Sequence, residues 1–147
     1  MTFTFSIFIK LSGSWILSRT VPNYGTMKGR AVFKVIPKEN NFLHYREEGI
    51  MILEQTKATY DFFREYIYEY SRDAITIYFS ETPRRIFQVL NLGEFATCEA
   101  AHQCVEDDYH GTYNFKNINQ GQFEITYKVK GPNKDYVIVS KYIKESE

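Results

Sequence analysis

The chain has 147 residues, 44% of them hydrophobic, with 18 basic and 18 acidic side chains. That length suits a single domain over residues 1–147, large enough to bury roughly two-thirds of its unfolded surface. Balanced charge provides no basic face for nucleic acid, and no stretch is long enough to span a membrane as a helix. Two cysteines, Cys98 and Cys104, make neither a disulfide framework nor a structural zinc site, so reduced thiols in a cytoplasmic protein are expected.

Met1 to Ile9 is apolar but lacks early basic residues and a small-residue cleavage site; it reads as a short edge segment or turn of helix rather than a signal peptide. Period-two alternation dominates the rest of the chain. Gly13, Trp15, Leu17 and Arg19 share one face of a first strand. After a turn at Pro22-Asn23-Tyr24-Gly25, the residues Gly29, Ala31, Phe33 and Val35 alternate with Lys28, Arg30, Val32 and Lys34. Leu43, Tyr45 and Glu47 share a face of the third strand, and Gly49 marks a bulge or bend before Ile50 to Glu54. Phe62, Arg64, Tyr66, Tyr68 and Tyr70 form one face of the next strand, which turns at Ser71-Arg72-Asp73 into Ile75, Ile77 and Phe79.

Further extended segments run from Arg85 to Leu92, Thr97 to Cys104 and Asp107 to Phe115. Phe123, Ile125, Tyr127 and Val129 then alternate with polar neighbours, and Gly131-Pro132-Asn133 leads into the last strand, Asp135 to Lys144. Twelve Tyr and twelve Phe fit this reading, because flat rings pack well on a pleated surface. About nine or ten strands with short links predict an all-β fold, a single antiparallel up-and-down barrel, because closure removes exposed edges. A two-sheet sandwich is the competing arrangement. A barrel of more than eight strands is wide enough to hold a small ligand.

Gly13-Ser14-Trp15 resembles the Gly-x-Trp signature that opens the first strand of lipocalins and related calycin barrels. The resemblance implies that Trp15 plugs the closed end, with a basic residue packed over it: Lys141 or Lys144 from the last strand, or Arg19 from its own. A broader resemblance spans nearly the whole chain. It is carried by Leu11-Ser-Gly-Ser-Trp-Ile-Leu-Ser-Arg19, Gly29-Arg-Ala-Val-Phe33, Leu43-His-Tyr-Arg-Glu-Glu-Gly49, Arg64-Glu-Tyr-Ile-Tyr68, His102-Gln-Cys-Val-Glu-Asp-Asp-Tyr109 and Gly131-Pro-Asn-Lys-Asp-Tyr136. In these the chain resembles an uncharacterised domain-of-unknown-function family of bacterial and fungal proteins, expected to form a lipocalin-like barrel. That family often has a His directly after the residue matching Phe87. Gln88 stands there in this chain, so a mechanism using that His as a base is not carried over. The resemblance implies fold rather than activity.

Alternation places Arg19, Glu47, Arg64, His102 and Asp107 on inward faces, with Tyr45, Tyr66, Tyr68 and Tyr109 beside them. Buried charge is costly unless paired, so these residues imply either internal ion pairs or a polar cavity. An Arg64 fork can hold a carboxylate in two hydrogen bonds, and Tyr66 and Tyr68 supply rigid walls with polar tips. The plainer alternative pairs Arg64 with Glu47 or Asp107 and uses the rings as filling. His102 and Cys104 share a face and, with Asp107 and Tyr109, form the densest reactive cluster. Lys134 follows the tight Gly131-Pro132 connection and is placed at the barrel mouth. His44 and His110 are expected outside.

The expected function is therefore binding of a small anionic or polar-aromatic molecule, with Tyr45, Glu47, Arg64, Tyr66, Tyr68, His102, Cys104, Asp107, Tyr109 and Lys134 as candidate contacts. No metal site and no cofactor are called for. The alternatives are an isomerase or hydrolase using His102 and a carboxylate, or a haem or cofactor carrier with His102 as axial ligand. A monomer or homodimer is expected.

Overall fold

The computed structural model describes residues 3–104 and 106–146, without the side chains of Gln103 and Cys104. A short helix, α1 (Phe3–Leu11), precedes ten strands. These are β1 (Gly13–Val21), β2 (Gly25–Ile36), β3 (Glu39–Leu53), β4 (Thr59–Ser71), β5 (Ala74–Phe79), β6 (Ile86–Leu90), β7 (Thr97–Cys104), β8 (Asp107–Asn114), β9 (Gln122–Gly131) and β10 (Lys134–Lys144). One 3-10 turn, Ile118–Gln120, lies between β8 and β9.

All the pairings are antiparallel. The strand order is β6-β5-β4-β3-β2-β1-β10-β9-β8-β7, so β1 pairs with both β2 and β10, and each other link joins sequence neighbours. The sheet curls into a nearly closed up-and-down barrel, as the alternation predicts. β6 and β7 come together at the seam, but no ladder joins them among the described residues. The seam is bridged by side chains instead: Tyr113 on β8 donates to Gln88 Oε1 on β6 at 3.1 Å.

One end is sealed. Ile7, Phe8 and Leu11 of α1 are buried together with Trp15, Phe33, Leu43, Ile75, Leu90, Phe115 and Phe123. Trp15 donates its indole N–H to the Leu11 carbonyl at 2.8 Å, which ties the helix to the first strand. Lys144 from the end of β10 lies 4.6 Å above the Trp15 ring and donates to the Ser12 carbonyl. Of the three basic residues considered for this place, Lys144 occupies it, because Trp15 and Lys144 are directly paired in register. Arg19 points instead to the middle of the barrel, and Lys141 is exposed at the outer wall.

Gly29 and Gly49 face each other across β2 and β3 with the register unbroken, so Gly49 marks a bend and not a bulge. A Cβ at Gly29 would lie 2.1 Å from the Glu48 carbonyl oxygen, and one at Gly49 would lie 2.2 Å from the Lys28 carbonyl oxygen. Only hydrogen fits at either place. Register shifts fall elsewhere: one between Val35 and Ile36, where β2 meets the start of β3, and one in β6, where Gln88 pairs with Ile77 and Ile86 with Tyr78. Phe87 is the extra residue, which is why Phe87 and Gln88 are both buried despite being sequence neighbours.

Trp15→Ala should remove the ring that joins helix, strand and the Lys144 side chain. Loss of a buried Trp costs about 3–5 kcal/mol, so the thermal midpoint should fall by roughly 10 °C in a scanning-calorimetry comparison with the parent protein.

Candidate functional site

The interior changes character halfway along the barrel. Above the apolar plug, Arg19 (4% exposed) and Glu47 (1% exposed) form a two-pronged ion pair, Nη1 to Oε2 at 2.6 Å and Nη2 to Oε1 at 2.9 Å. The two residues are on β1 and β3, with β2 between them. Arg19 is in register with Met27 and Glu47 with Ala31, so the bridge crosses β2 at the level of Gly29. Glycine and alanine at these inward positions leave it room to cross.

The remaining polar valences are filled locally. Arg19 Nε donates to Ser140 Oγ at 2.7 Å, and the Tyr45 hydroxyl donates to Glu47 Oε1 at 2.6 Å. Since that proton is committed to the carboxylate, Tyr142 donates to Tyr45 across 2.8 Å. Burial opposes ionisation of Glu47, yet the hydrogen bonds and charge of Arg19, with further help from Arg64 and Tyr45, hold its carboxyl below the usual range. Burial, followed by the charge of Glu47, pushes the Tyr142 phenol up to about 12.

Arg64 pairs in register with Glu47. The plain expectation of an Arg64–Glu47 or Arg64–Asp107 ion pair does not hold. Both Glu47 oxygens are taken by Arg19, and Asp107 accepts from Lys134 Nζ at 2.7 Å at the rim. Among the described residues no carboxylate forms a salt bridge with Arg64. Protein surrounds Arg64 closely, yet the residue is exposed to solvent-sized space, the combination expected of a group facing a cavity.

That space has two chambers that share Arg64, Tyr136 and Ile138. One, of about 380 Å³, is lined additionally by Arg19, Val21, Tyr24, Met27 and Met51. The other, of about 180 Å³, is lined by Tyr66, Phe79, Phe87, His102, Tyr109 and Tyr127. Both lie at the end away from Trp15, beneath the turns that link β1 to β2 and β9 to β10. A larger hollow, about 740 Å³, is an open groove on the outer wall beside the Gly29–Gly49 bend. The Arg46 there is engaged by Glu65, Glu48 and the Phe63 ring.

In the smaller chamber the rings are ordered. Tyr66 and Phe87 stack at 5.3 Å with their planes 6° apart, and His102 stands edge-on to both Phe79 and Phe87 at 5.5 Å. His102 Nε2 is buried and has no hydrogen-bond partner among the described residues. Burial, then the charge of Arg85, lowers its pKa, so the imidazole is neutral at pH 7.

The structure thus brings Arg64, Tyr66, His102 and Tyr109 together around one space. Tyr45 and Tyr68 lie deeper, packed with Phe33 in the core, and Glu47 is part of the floor. Asp107 and Lys134 are at the rim, paired with each other. The Cys104 side chain lies outside the described residues. Among the described residues no three His, Cys, Asp or Glu side chains group closely enough to hold a metal ion.

Arg19, Met27, Met51, Phe79, Phe87, Tyr127, Tyr136 and Ile138 also line the chambers but were not among the expected contacts. Alternation marked Arg19, Phe79 and Tyr127 as lying on regular strand faces, whereas Phe87 depends on the β6 bulge. Gln88 is buried against Tyr113, which shares a 2.7 Å hydrogen bond with Tyr127, while Gln88 Nε2 has no partner among the described residues.

Residues 11–144 match the family of unknown function DUF6314, and the chain belongs to that family. No curated protein matches it. Among solved structures, the S-type phycobiliprotein lyase CPES from Guillardia theta is similar in fold, with a TM-score of 0.64 at 9% identity, covering 97% of this chain and 92% of that one. EF1p2_mFAP2b bound to DFHBI has a TM-score of 0.50 at 12% identity, covering 95% of this chain and 97% of that one. At such identities the likeness is one of fold. No helix among the described residues is long and apolar enough to cross a membrane.

Removing one partner of the floor pair leaves a buried charge, so Glu47→Ala should cost about 3–5 kcal/mol, whereas Arg19→Met with Glu47→Leu should recover most of that in urea unfolding at pH 7. Because the Glu47 pKa is lowered by folding, its contribution is complete above the unfolded glutamate value near 4.3 and is lost as pH falls through the lower folded value. The double variant should lack that part of the acid limb.

Proposed function

We propose that this barrel binds a small anionic aromatic molecule in its open end, with Arg64 as the anion contact. The observation that carries this reading is a charge imbalance. Arg19 and Glu47 neutralise each other, and Lys134 and Asp107 do so at the rim, which leaves Arg64 as a positive charge facing a cavity with no carboxylate of its own among the described residues. An interior cation is most stable with an anion beside it, and a guanidinium grips a carboxylate with two parallel hydrogen bonds. The rings of Tyr66, Phe79 and Phe87 give an aromatic group flat and edge-on surfaces to pack against.

Two further features support binding rather than acid–base turnover. Among the described residues no carboxylate contacts His102 to orient or charge it, and its ring is held between phenylalanines. DFHBI is the ligand of a different barrel, but its presence there illustrates that this fold accommodates a small molecule.

The test compares 3-phenylpropanoate with 3-phenylpropylamine, which have the same ring and opposite charges. By linkage, a ligand at 100 times its Kd raises stability by about 2.7 kcal/mol. The acid should raise the melting temperature and the amine should not. Arg64→Met should keep the fold by circular dichroism and lose at least about tenfold in affinity for the acid, as for loss of a charged hydrogen-bonding partner. Equal shifts with acid and amine, or no shift with either, would refute the anion-binding reading.

A further inference from the structure

The two chambers differ in chemistry as well as in size. The smaller is ringed by aromatic side chains, whereas the larger is lined by Val21, Met27, Met51 and Ile138, with Arg19 at its base and Tyr24 and Tyr136 at its edges. Methionine thioethers are flexible and suit aliphatic chains of variable shape, unlike the fixed ring slots opposite. A volume of about 180 Å³ is close to the roughly 150 Å³ in which a single benzene ring is held, so the smaller chamber takes one ring and little more. The larger, about 380 Å³, falls within the usual range for small-molecule pockets and has no second anion contact, since the Arg19 guanidinium is already committed to Glu47 and Ser140. Arg64 belongs to both chambers.

We infer that the ligand is a two-armed carboxylic acid: a carboxylate held at Arg64, an aromatic ring in the Tyr66–Phe87–His102 chamber, and a flexible aliphatic arm in the Met27–Met51 chamber. This rests on the anion-binding reading and adds to it the second arm. A simple aryl acid fills one chamber only. A straight-chain fatty acid fills the other and leaves the ring slot empty. The carboxylate must therefore branch from a carbon that carries both arms, or lie on a linker between them. A ring substituent that can exchange a hydrogen bond, such as a hydroxyl, also fits, because His102 Nε2 is buried there without a partner among the described residues.

The pair 3-phenylpropanoate and 2-benzyloctanoate isolates the second arm. The latter is the former with a six-carbon chain on the carbon next to the carboxylate. Each buried CH₂ is worth about 0.8 kcal/mol, close to fourfold in affinity, so even partial burial of the chain should lower Kd by at least about tenfold in calorimetric titration. Placement is read separately. The protein has three methionines, Met1, Met27 and Met51, so ¹³C-methyl labelling of methionine yields three signals. The Met27 and Met51 methyls should shift on addition of 2-benzyloctanoate and stay nearly still with 3-phenylpropanoate. Met51→Trp, which narrows the larger chamber, should shrink the affinity ratio between the two acids.

If 3-phenylpropanoate binds while the longer acid gains nothing, or gains without moving the methionine methyls, the second arm is refuted and the anion-binding reading stands. If neither acid binds, both readings fall.

Discussion

Everything above and below the middle of this barrel depends on the pair between Arg19 and Glu47. It is the boundary between a packed half and a hollow half. Below it, Trp15, Phe33, Phe115 and Phe123 pack against one another and against the helix. Above it, the two chambers begin. A layer of Leu in its place would let the core continue upward, whereas a single charge would be untenable in the interior. A complete pair, with Ser140, Tyr45 and Tyr142 satisfying its outer valences, presents a polar surface upward while costing little in unpaired charge. Its geometry in turn requires small residues on the intervening strand, which Gly29 and Ala31 provide. Because Arg19 takes both oxygens of Glu47, Arg64 is left facing the cavity. The floor and the candidate anion contact are therefore one arrangement.

Much of this was legible in the sequence, and the reasons differ by residue. The strand faces were readable because a side-chain period of two is a local property: Tyr45, Glu47, Arg64, Tyr66 and His102 all lie inward as alternation requires. The closed end was readable through Gly13-Ser14-Trp15, and with it the position of the open end. Pairing of charges was not readable. Alternation gives the face of a strand but not the height of a residue in a tilted barrel, so Glu47 was equally available to Arg64, its neighbour in register, and to Arg19, two strands away. Depth was hidden for the same reason. Tyr66 lines the cavity while Tyr68, two residues along the same face, is sealed in the core. Phe87 and Gln88 eluded the pattern because a bulge breaks the period that the pattern depends on.

The helix shows the same division. An apolar segment at the start of the chain could be read as helix or edge strand, since amphipathic periodicity needs more length than nine residues provide to be decisive. Tertiary contacts settle it: three of its apolar side chains close the barrel, and the Trp15 indole holds the Leu11 carbonyl at its last turn.

The seam between β6 and β7 has a consequence for the behaviour of the protein in concentrated solution. A barrel without a full ladder keeps two strand edges, and free edges recruit other chains. Here the edge strand β6 is only five residues long and is preceded by Pro83, Arg84 and Arg85. A proline offers no N–H to an incoming strand, and Arg84, next to the Arg85–Glu81 ion pair, keeps the approach to β6 charged. The two edges also face each other, with Gln88 of β6 hydrogen-bonded to Tyr113 of β8, the strand behind β7. The fold thus keeps a gap in its wall without presenting a long template for aggregation, and self-association should be governed by the charges beside β6 more than by the apolar residues on it.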